Sequence, residues 1–319
     1  MTHLEETTMT RTTLTLATGV VLALGLSACG GGGNDPLATG SSAASSAAGG
    51  SGGAGVTVGS ADFPESKLLA ELYAGALKAK GVQVDTKLGI GSRETYIPAL
   101  KDGSIDVIPE YSGALDRYFN KDAKAQTSDA ILTELKAALP SHLEVLQPAK
   151  AEDKDAVVMT KAKAQELGVT SIADLKGKSE QLTIGGPAEW QSRSYGIPGL
   201  EKTYGLTFKQ FRKLDAGGPL AVQGLKNGQV DLANIFTTDP AIQVNDFQVL
   251  EDPQNFFAAQ NVLPLAVKGK LDGTAKGALD AVSAKLDTQA LTDLLKKVSV
   301  DHQKPADVAD EWLKANSLA

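Results

Sequence analysis

The sequence is poor in the residues on which many enzymes depend, with one cysteine and three histidines among 319 residues. A single cysteine, Cys29, cannot form an internal disulfide or build a cysteine-rich zinc site. His3 lies in a segment that we expect to be removed, which leaves His142 and His302. Neither stands in a recognisable catalytic setting, so we expect no catalytic residue, no metal site and no cofactor.

Positive charge is also in deficit, because the chain has 31 Lys and Arg against 38 Asp and Glu, which gives a net charge of −7. A protein that binds nucleic acid needs a basic surface, so we expect no nucleic-acid partner. Apolar residues make up 42% of the chain. That fraction supports a sizeable core, and the length suits one large or two ordinary domains.

The N-terminal segment has the features of a lipoprotein signal. An apolar run over residues 14–26 follows Arg11, and it is shorter than the roughly 20 residues that span a bilayer. The run ends in LSA directly before Cys29, which resembles the lipobox of bacterial lipoproteins. We predict a signal peptide over 1–28 and acylation of Cys29, which would anchor the protein at the outer face of the bacterial cytoplasmic membrane. The alternative is a chance buried helix beside a chance cysteine.

The following residues, 29–55, are mostly Gly, Ala and Ser. Such a stretch buries too little apolar surface to offset the entropy of ordering it, so we predict a flexible tether. The folded protein would then begin near Val56. There, a short β-prone run precedes apolar residues at helical spacing over 64–79 and a second strand over 82–88, which predicts a βαβ unit and a mostly parallel sheet.

An internal repeat suggests two lobes of similar construction. LKDGSIDV at 100–107 is echoed 125 residues later by LKNGQVDL at 225–232, and each predicts a helix end, a glycine turn and a strand. At the same offset, Tyr111 corresponds to Phe236. Ligands of open parallel sheets bind beyond the carboxyl ends of the strands. We therefore predict that Tyr111 and Phe236 lie at a ligand site, one in each lobe.

Six separated motifs resemble a known family. They are GSADFPES at 59–66, GIGSRE at 89–94, IDVIPEYSG at 105–113, FTTDP at 236–240, LEDP at 250–253 and NVLP at 261–264. In this order they are similar to the osmoprotectant-binding proteins of ABC importers, which take up glycine betaine, choline and proline betaine. The resemblance covers nearly all of residues 56–319.

The resemblance implies an α/β fold of the type II periplasmic-binding-protein kind. Each of two lobes would be a mostly parallel sheet flanked by helices, with the ligand in the cleft. We expect lobe 1 to comprise 56–158 with 262–319, and lobe 2 to comprise 159–261. The protein would be a monomeric solute receptor that delivers a quaternary-ammonium solute to an ABC permease and ATPase. The ATPase would be a separate subunit, since the sequence contains no GxxxxGK[ST] phosphate loop.

A quaternary ammonium has no N–H donor, but aromatic faces attract it through cation–π interactions. Family members use a cage of rings, and the candidates here are Tyr111, Phe236 and Trp190. Ordinary core packing is the alternative for Trp190 and Phe236. Arg193 matches an arginine that relatives place near the ligand, and it would hold the carboxylate of a betaine. Its alternatives are a solvated helix arginine or a pair with Glu189. If Arg193 binds the ligand, a carboxylate is its natural partner, so we favour betaine-like zwitterions over choline.

Further polar residues of the motifs are candidates for the lining of the cleft: Ser60, Glu65, Ser92, Glu94, Thr238 and Asp239. Three other functions stay open at this point. The protein could be a receptor for another cationic or zwitterionic solute, such as carnitine, choline, ergothioneine or a polyamine. It could be a secreted enzyme, or a structural lipoprotein without a small ligand.

Overall fold

The computed structural model describes residues 55–319 of the chain. The predicted signal peptide, Cys29 and all but the last residue of the predicted tether lie outside the described residues. Within the described part, no helix is long and apolar enough to cross a bilayer.

Ten strands form two five-stranded sheets. In chain order they are β1 (Val56–Gly59), β2 (Val84–Lys87), β3 (Val107–Tyr111), β4 (Leu143–Val145), β5 (Asp155–Thr160), β6 (Thr183–Gly186), β7 (Gln210–Lys213), β8 (Leu232–Phe236), β9 (Phe247–Val249) and β10 (Val262–Val267). The first sheet has the order β2-β1-β3-β10-β4, and the second has the order β7-β6-β8-β5-β9.

Eleven α-helices among the described residues cover these sheets. They are α1 (Pro64–Ala79), α2 (Arg93–Lys101), α3 (Ser112–Phe119), α4 (Ser128–Ala138), α5 (Lys161–Leu167), α6 (Ile197–Tyr204), α7 (Pro219–Lys226), α8 (Ala241–Val244), α9 (Gly273–Lys285), α10 (Thr288–Ser299) and α11 (Pro305–Ala315). Short 3-10 helices occupy Ile172–Leu175, Ser179–Gln181 and Ala188–Gln191.

The two sheets share one design, as the internal repeat predicts. In the first, β1 runs parallel to β2 and β3, while β10 runs antiparallel to β3 and β4. In the second, β6 runs parallel to β7 and β8, while β5 runs antiparallel to β8 and β9. The α/β architecture is therefore confirmed, but the sheets are mixed rather than mostly parallel. The antiparallel strands are the two that enter a sheet directly after the chain arrives from the other sheet.

The chain crosses between the sheets twice, once between β4 and β5 and once between β9 and β10. All of β5 (Asp155–Thr160) lies in the second sheet, so the first crossing precedes the boundary expected at 158. Below, "first lobe" means the first sheet with α1–α4 and α9–α11, and "second lobe" means the second sheet with α5–α8. The segments that join them are called the first and second crossing.

Helix α1 anchors the core of the first lobe. Pro64 occupies its first turn, where a missing N–H costs nothing, and Leu68, Leu69 and Leu72 are fully buried. The helix contacts α9, α10 and α11, so the C-terminal helices pack onto the lobe that the N-terminal strand begins. At Gly75 a Cβ atom would lie 2.5 Å from a methyl carbon of Leu313, which shows how closely α1 and α11 approach.

Candidate functional site

A cavity of about 340 Å³ lies between the two lobes. The first lobe contributes the loop after β1, the start of α2 and the end of β3. The second lobe contributes the turn after β6, the loop after β7 and the end of β8, and both crossings add a residue. The volume lies in the range of small-ligand pockets. Its walls come from elements that are far apart in sequence.

Five aromatic residues line this cavity, and three of their rings meet, with Phe63 in contact with the other two. Tyr111 ends β3 and Phe236 ends β8, so both predicted rings reach the cavity lining. Phe63, which precedes α1, stands between them. Its ring centroid lies 6.0 Å from that of Tyr111 and 5.2 Å from that of Phe236. Sequence reasoning missed Phe63, although it stands inside the GSADFPES motif.

Glu65 holds Tyr111 in place and links the lobes. The Tyr111 hydroxyl donates to Oε1 of Glu65 (2.7 Å), and the Thr238 hydroxyl donates to Oε2 of the same carboxylate (2.5 Å). Glu65 and Thr238 are almost fully buried and do not line the cavity. The structure thus places both candidate residues away from the lining, where the Tyr111 and Thr238 hydroxyls occupy the Glu65 carboxylate.

Asp153, in the first crossing, is a second carboxyl beside Glu65. Its Oδ1 accepts from the backbone N–H of Thr238 (3.0 Å) and from the Thr237 hydroxyl (3.3 Å). Burial raises the pKa of Glu65, although hydrogen bonds from Thr238 and Tyr111 oppose the change. Burial also raises the pKa of Asp153 well above its ordinary value, and the neighbouring Glu65 carboxylate raises it further. The pair therefore keeps a proton to higher pH than isolated carboxyl groups do.

Arg93, in the first turn of α2, forms a buried ion pair that the sequence did not reveal. Its Nε and Nη2 atoms donate to the two carboxylate oxygens of Glu110, each over 2.7 Å. The Tyr96 hydroxyl also donates to Glu110 (2.6 Å). The Nη1 atom of Arg93 donates to the hydroxyl of Tyr195 in the second lobe (2.8 Å). Such bidentate pairs are strong and directional, so this cluster fixes one contact between the lobes.

Arg193, one of the candidate ligand residues, lines the cavity, but its guanidinium is already paired. Nη2 and Nε donate to the carboxylate of Glu94 in the first lobe, over 2.8 and 3.2 Å. The Ser92 hydroxyl, also at the lining, donates to Glu94 (2.7 Å). Burial alone would raise the pKa of Glu94, but hydrogen bonds from Arg193 and Ser92 outweigh it and lower the pKa to about 2. The partner is therefore neither solvent nor Glu189, and Glu94 itself lies outside the lining.

Three other predicted residues lie away from the cavity lining. Trp190 is fully buried and stacks on Phe257 at 6.4 Å between centroids, which is the core-packing alternative. Ser60 accepts from the backbone N–H of Gly89 (2.8 Å) and so fixes the loop after β1. Asp239 accepts from the N–H of Ala241 (2.8 Å) at the start of α8, and burial raises its pKa to about 6.

A cluster of polar side chains, Asp155, Asn234 and Gln260, also lines the cavity. We call it the polar floor. The side-chain amides of Asn234 and Gln260 donate to the two carboxylate oxygens of Asp155, over 3.0 and 3.1 Å. Sequence reasoning missed all three. A signal was available, because Asn234 precedes Phe236 by two residues on β8 and alternate residues of a strand share a face.

Residues 54–315 match the family OpuAC, described as the substrate binding domain of ABC-type glycine betaine transport systems. The chain belongs to this family. It is 27% identical over 275 residues to the glycine-betaine-binding protein of Pseudomonas aeruginosa, and the alignment covers 82% of this chain and 88% of that protein. It is 27% identical over 274 residues to the glycine betaine-binding protein YehZ of Escherichia coli strain K12, and that alignment covers 81% of this chain and 90% of YehZ.

The fold is similar to that of solved structures. A crystal structure of a glycine betaine/carnitine/choline ABC transporter superposes with a TM-score of 0.65 at 21% identity, over 82% of this chain and 99% of that one. The family match confirms the resemblance that the separate motifs predict, and the superposition confirms the predicted fold. Among residues 55–319, no group of three or more His, Cys, Asp or Glu side chains is placed to hold a metal ion.

Proposed function

We propose that this protein is the extracytoplasmic solute receptor of an ABC importer and that it captures a quaternary-ammonium compatible solute of the glycine betaine type. The observation that carries the proposal is the meeting of rings from both lobes at a cavity of about 340 Å³, where the Phe63 ring lies 6.0 Å from that of Tyr111 and 5.2 Å from that of Phe236. Membership of the substrate-binding family supports it.

The chemistry of the rings suits this ligand. A trimethylammonium group offers no N–H to a hydrogen-bond acceptor, but each aromatic face attracts it by roughly 0.5–2 kcal/mol. The carboxylate of Asp155 also lines the cavity and adds negative potential. Because Phe63 and Phe236 belong to different lobes and already lie 5.2 Å apart between ring centroids, opening of a hinge would separate the rings and admit the solute. Ser92 and Arg193 also line the cavity, and the proposal retains both as ligand residues.

The charged groups favour a second candidate within the same class. Arg93 is paired with Glu110, and Arg193 is paired with Glu94. A betaine carboxylate would have to compete with those partners, whereas a cation such as choline would not. Carnitine, ergothioneine and polyamines are the other solutes to be compared. In each case the role is binding and delivery without chemical conversion of the solute.

Calorimetric titration of the full chain, purified in detergent, tests the proposal. The panel is glycine betaine, choline, carnitine and proline, each followed by recovery of the solute after long incubation. We expect saturable binding of at least one quaternary-ammonium member, with the solute recovered unchanged. Absence of binding for every such member would contradict the receptor role, and a chemical product would support the secreted-enzyme alternative.

The membrane attachment is a separate part of the proposal. We propose that 1–28 is a signal peptide, that acylated Cys29 anchors the protein at the outer face of the cytoplasmic membrane, and that 29–55 tethers a monomeric receptor beside its permease and ATPase. Each acyl CH₂ group in the bilayer contributes roughly 0.8 kcal/mol, so two or more chains anchor a protein stably. The Cys29→Ala variant should leave the detergent phase on phase separation. Partition of the variant into detergent, as for the parent, would contradict acylation at Cys29.

A further inference from the structure

Two carboxyl groups, those of Glu65 and Asp153, lie where the two lobes join. Glu65 belongs to the first turn of α1 in the first lobe, and Asp153 belongs to the first crossing. Each residue is only 2% exposed. The second crossing lies alongside, because the backbone N–H of Asp153 donates to the carbonyl of Gln260 (3.1 Å). Any movement of one lobe against the other passes through these crossings, so the pair sits at the hinge.

The two carboxyl groups are fixed to different lobes. Asp153 Oδ1 accepts from the backbone N–H of Thr238 (3.0 Å) and from the hydroxyl of Thr237 (3.3 Å), both in the second lobe. Glu65 accepts from the hydroxyl of Tyr111 in the first lobe (2.7 Å). The Thr238 hydroxyl, which donates to Glu65 (2.5 Å), spans the boundary between them. Opening of the lobes would therefore separate Glu65 from Thr238 and Asp153.

No cation balances this pair. Among residues 55–319, no Lys, Arg or His nitrogen lies within 4.0 Å of either carboxyl group. Lys154, the residue after Asp153, pairs with Glu152 instead (3.2 Å). On β3, the charge of Glu110 is already balanced by Arg93. A second negative charge at the pair would thus have no direct partner.

The other titratable groups near the pair are anions or a neutral phenol: Asp155 on β5, Asp239 after β8 and Tyr111 on β3. Burial raises the pKa of both carboxyl groups, and the two aspartates raise it further. Tyr111 stays neutral, because burial raises its pKa well above the ordinary value. Two adjacent buried carboxylates repel strongly, and a hydrogen bond between them requires a proton. The arrangement seen here therefore holds one proton between Glu65 and Asp153.

This proton is tied to closure of the lobes. Opening would admit water to both carboxyl groups, so each pKa would return toward its ordinary value and the proton would leave. A group with a higher pKa in the closed form stabilises that form fully below the ordinary pKa. The contribution is lost as pH rises through the raised value. A solute that binds the closed form is therefore linked to the proton, and the linkage is reciprocal.

We propose that Glu65 and Asp153 form a proton-binding site that clasps the lobes together, so that capture of the solute takes up a proton and a rise in pH favours its release. The inference rests on the proposed function, since it takes a quaternary-ammonium solute as the ligand that the closed lobes hold. It gives Glu65 and Thr238, which lie away from the cavity lining, a role in closure rather than in contact with the solute.

Calorimetry of the full chain in two buffers of different ionisation enthalpy tests the clasp, because the difference in heat counts the protons taken up. The solutes are glycine betaine, choline and carnitine, at several pH values above the ordinary pKa of a carboxyl group, where none of the three changes its charge. For the parent we expect uptake that approaches one proton per solute, with affinity falling by up to about tenfold per pH unit.

The Asp153→Asn variant places an amide donor where the proton lies, so the pair carries one negative charge at every pH. Its proton uptake should vanish, and its affinity should change by less than about twofold per pH unit. Glu65→Gln replaces the other half of the pair and carries the same expectation. Thermal melting checks that each variant is folded.

Asp239→Asn is the matched control. It makes the same chemical change at a buried carboxyl group whose pKa is raised to about 6, but Asp239 accepts from Ala241 within the second lobe. This variant should keep the parental proton uptake.

Solute binding without proton uptake in the parent would overturn the clasp and leave the proposed function standing. Uptake that persists in folded Asp153→Asn and Glu65→Gln, or that disappears in Asp239→Asn, would also overturn it. If none of the three solutes binds, the proposed function fails as well.

Discussion

Two arginines at the cavity, Arg93 and Arg193, form ion pairs of opposite kinds. The Arg93–Glu110 pair is buried, with 7% and 0% of the side chains exposed, and both partners belong to the first lobe. The Arg193–Glu94 pair joins the two lobes at the rim, with 17% and 44% exposed. A buried pair that loses one partner leaves an uncompensated charge, whereas an exposed pair is screened by solvent. Burial therefore decides what each arginine contributes.

The pairs also differ in how they connect the lobes. Arg93 reaches the second lobe through the neutral hydroxyl of Tyr195, while Arg193 reaches the first lobe through a full charge. The buried connection should be insensitive to salt, and the rim connection should weaken as salt screens it.

The largest expected effect comes from removing the buried cation. Arg93→Met should lower the free energy of unfolding by about 3–5 kcal/mol, because the carboxylate of Glu110 would stay buried without its partner. Arg193→Met is the matched control and should cost less than about 1 kcal/mol. Denaturant titration of both variants measures the difference. Equal losses would remove the distinction between the two pairs.

A second contrast sets a ring at the cavity against a ring in the core. Phe236→Leu removes a π-face and keeps an apolar side chain, so affinity for a quaternary-ammonium solute should fall by the equivalent of roughly 0.5–2 kcal/mol. Trp190→Phe should leave that affinity unchanged and reduce stability, since Trp190 is buried against Phe257. Calorimetry and thermal melting separate the two effects. If Trp190→Phe lost affinity and Phe236→Leu did not, Trp190 rather than Phe236 would be the ligand-binding ring.

The buried and rim carboxyl groups should respond to pH with opposite signs. The raised pKa of Glu65 means that its contribution to stability is full below the ordinary pKa of a glutamate and is lost as pH rises through the raised value. Glu65→Gln keeps a side chain of the same shape without a titrating proton. The parent should therefore lose stability relative to this variant as pH rises above the ordinary pKa of a glutamate, measured as the melting temperature. Parallel profiles would contradict proton retention by the Glu65–Asp153 pair.

The smallest effect belongs to the rim pair. The pKa of Glu94 is lowered to about 2, so its contribution is full above the ordinary glutamate pKa and is lost as pH falls toward that value. A double-mutant cycle with Glu94→Gln and Arg193→Gln should give a coupling of about 0.2–1 kcal/mol at low salt. The coupling should vanish in about 1 M salt. A coupling energy well above this range that salt does not change would show that the Arg193–Glu94 pair behaves like the buried Arg93–Glu110 pair.

The sequence predicted the parts of the site that depend on local order. Tyr111 and Phe236 could be found because each ends a strand of a repeated unit, and strand ends of this kind face the cleft. Arg193 and Glu94 were both singled out, but their pairing joins residues 99 positions apart and no local pattern indicates it. The Arg93–Tyr195 contact spans 102 positions and was missed for the same reason.

Two further differences have structural causes. The environment of Trp190 depends on Phe257, which arrives from a distant loop, so its sequence neighbours could not show that the ring is buried. The direction of β5 and β10 depends on the crossings between the lobes, whereas the composition of a strand is the same in either direction. That is why the sheets were expected to be mostly parallel and are mixed.

The central claim is that aromatic rings hold a positive charge in the cavity, and carbon isosteres test it most directly. Replacing the quaternary nitrogen by carbon converts glycine betaine to 3,3-dimethylbutanoate and choline to 3,3-dimethylbutan-1-ol, with the shape kept and the positive charge removed. For the solute that the protein binds, we expect the isostere to bind at least about tenfold more weakly in calorimetry. Equal affinity of the solute and its isostere without the positive charge would contradict the account.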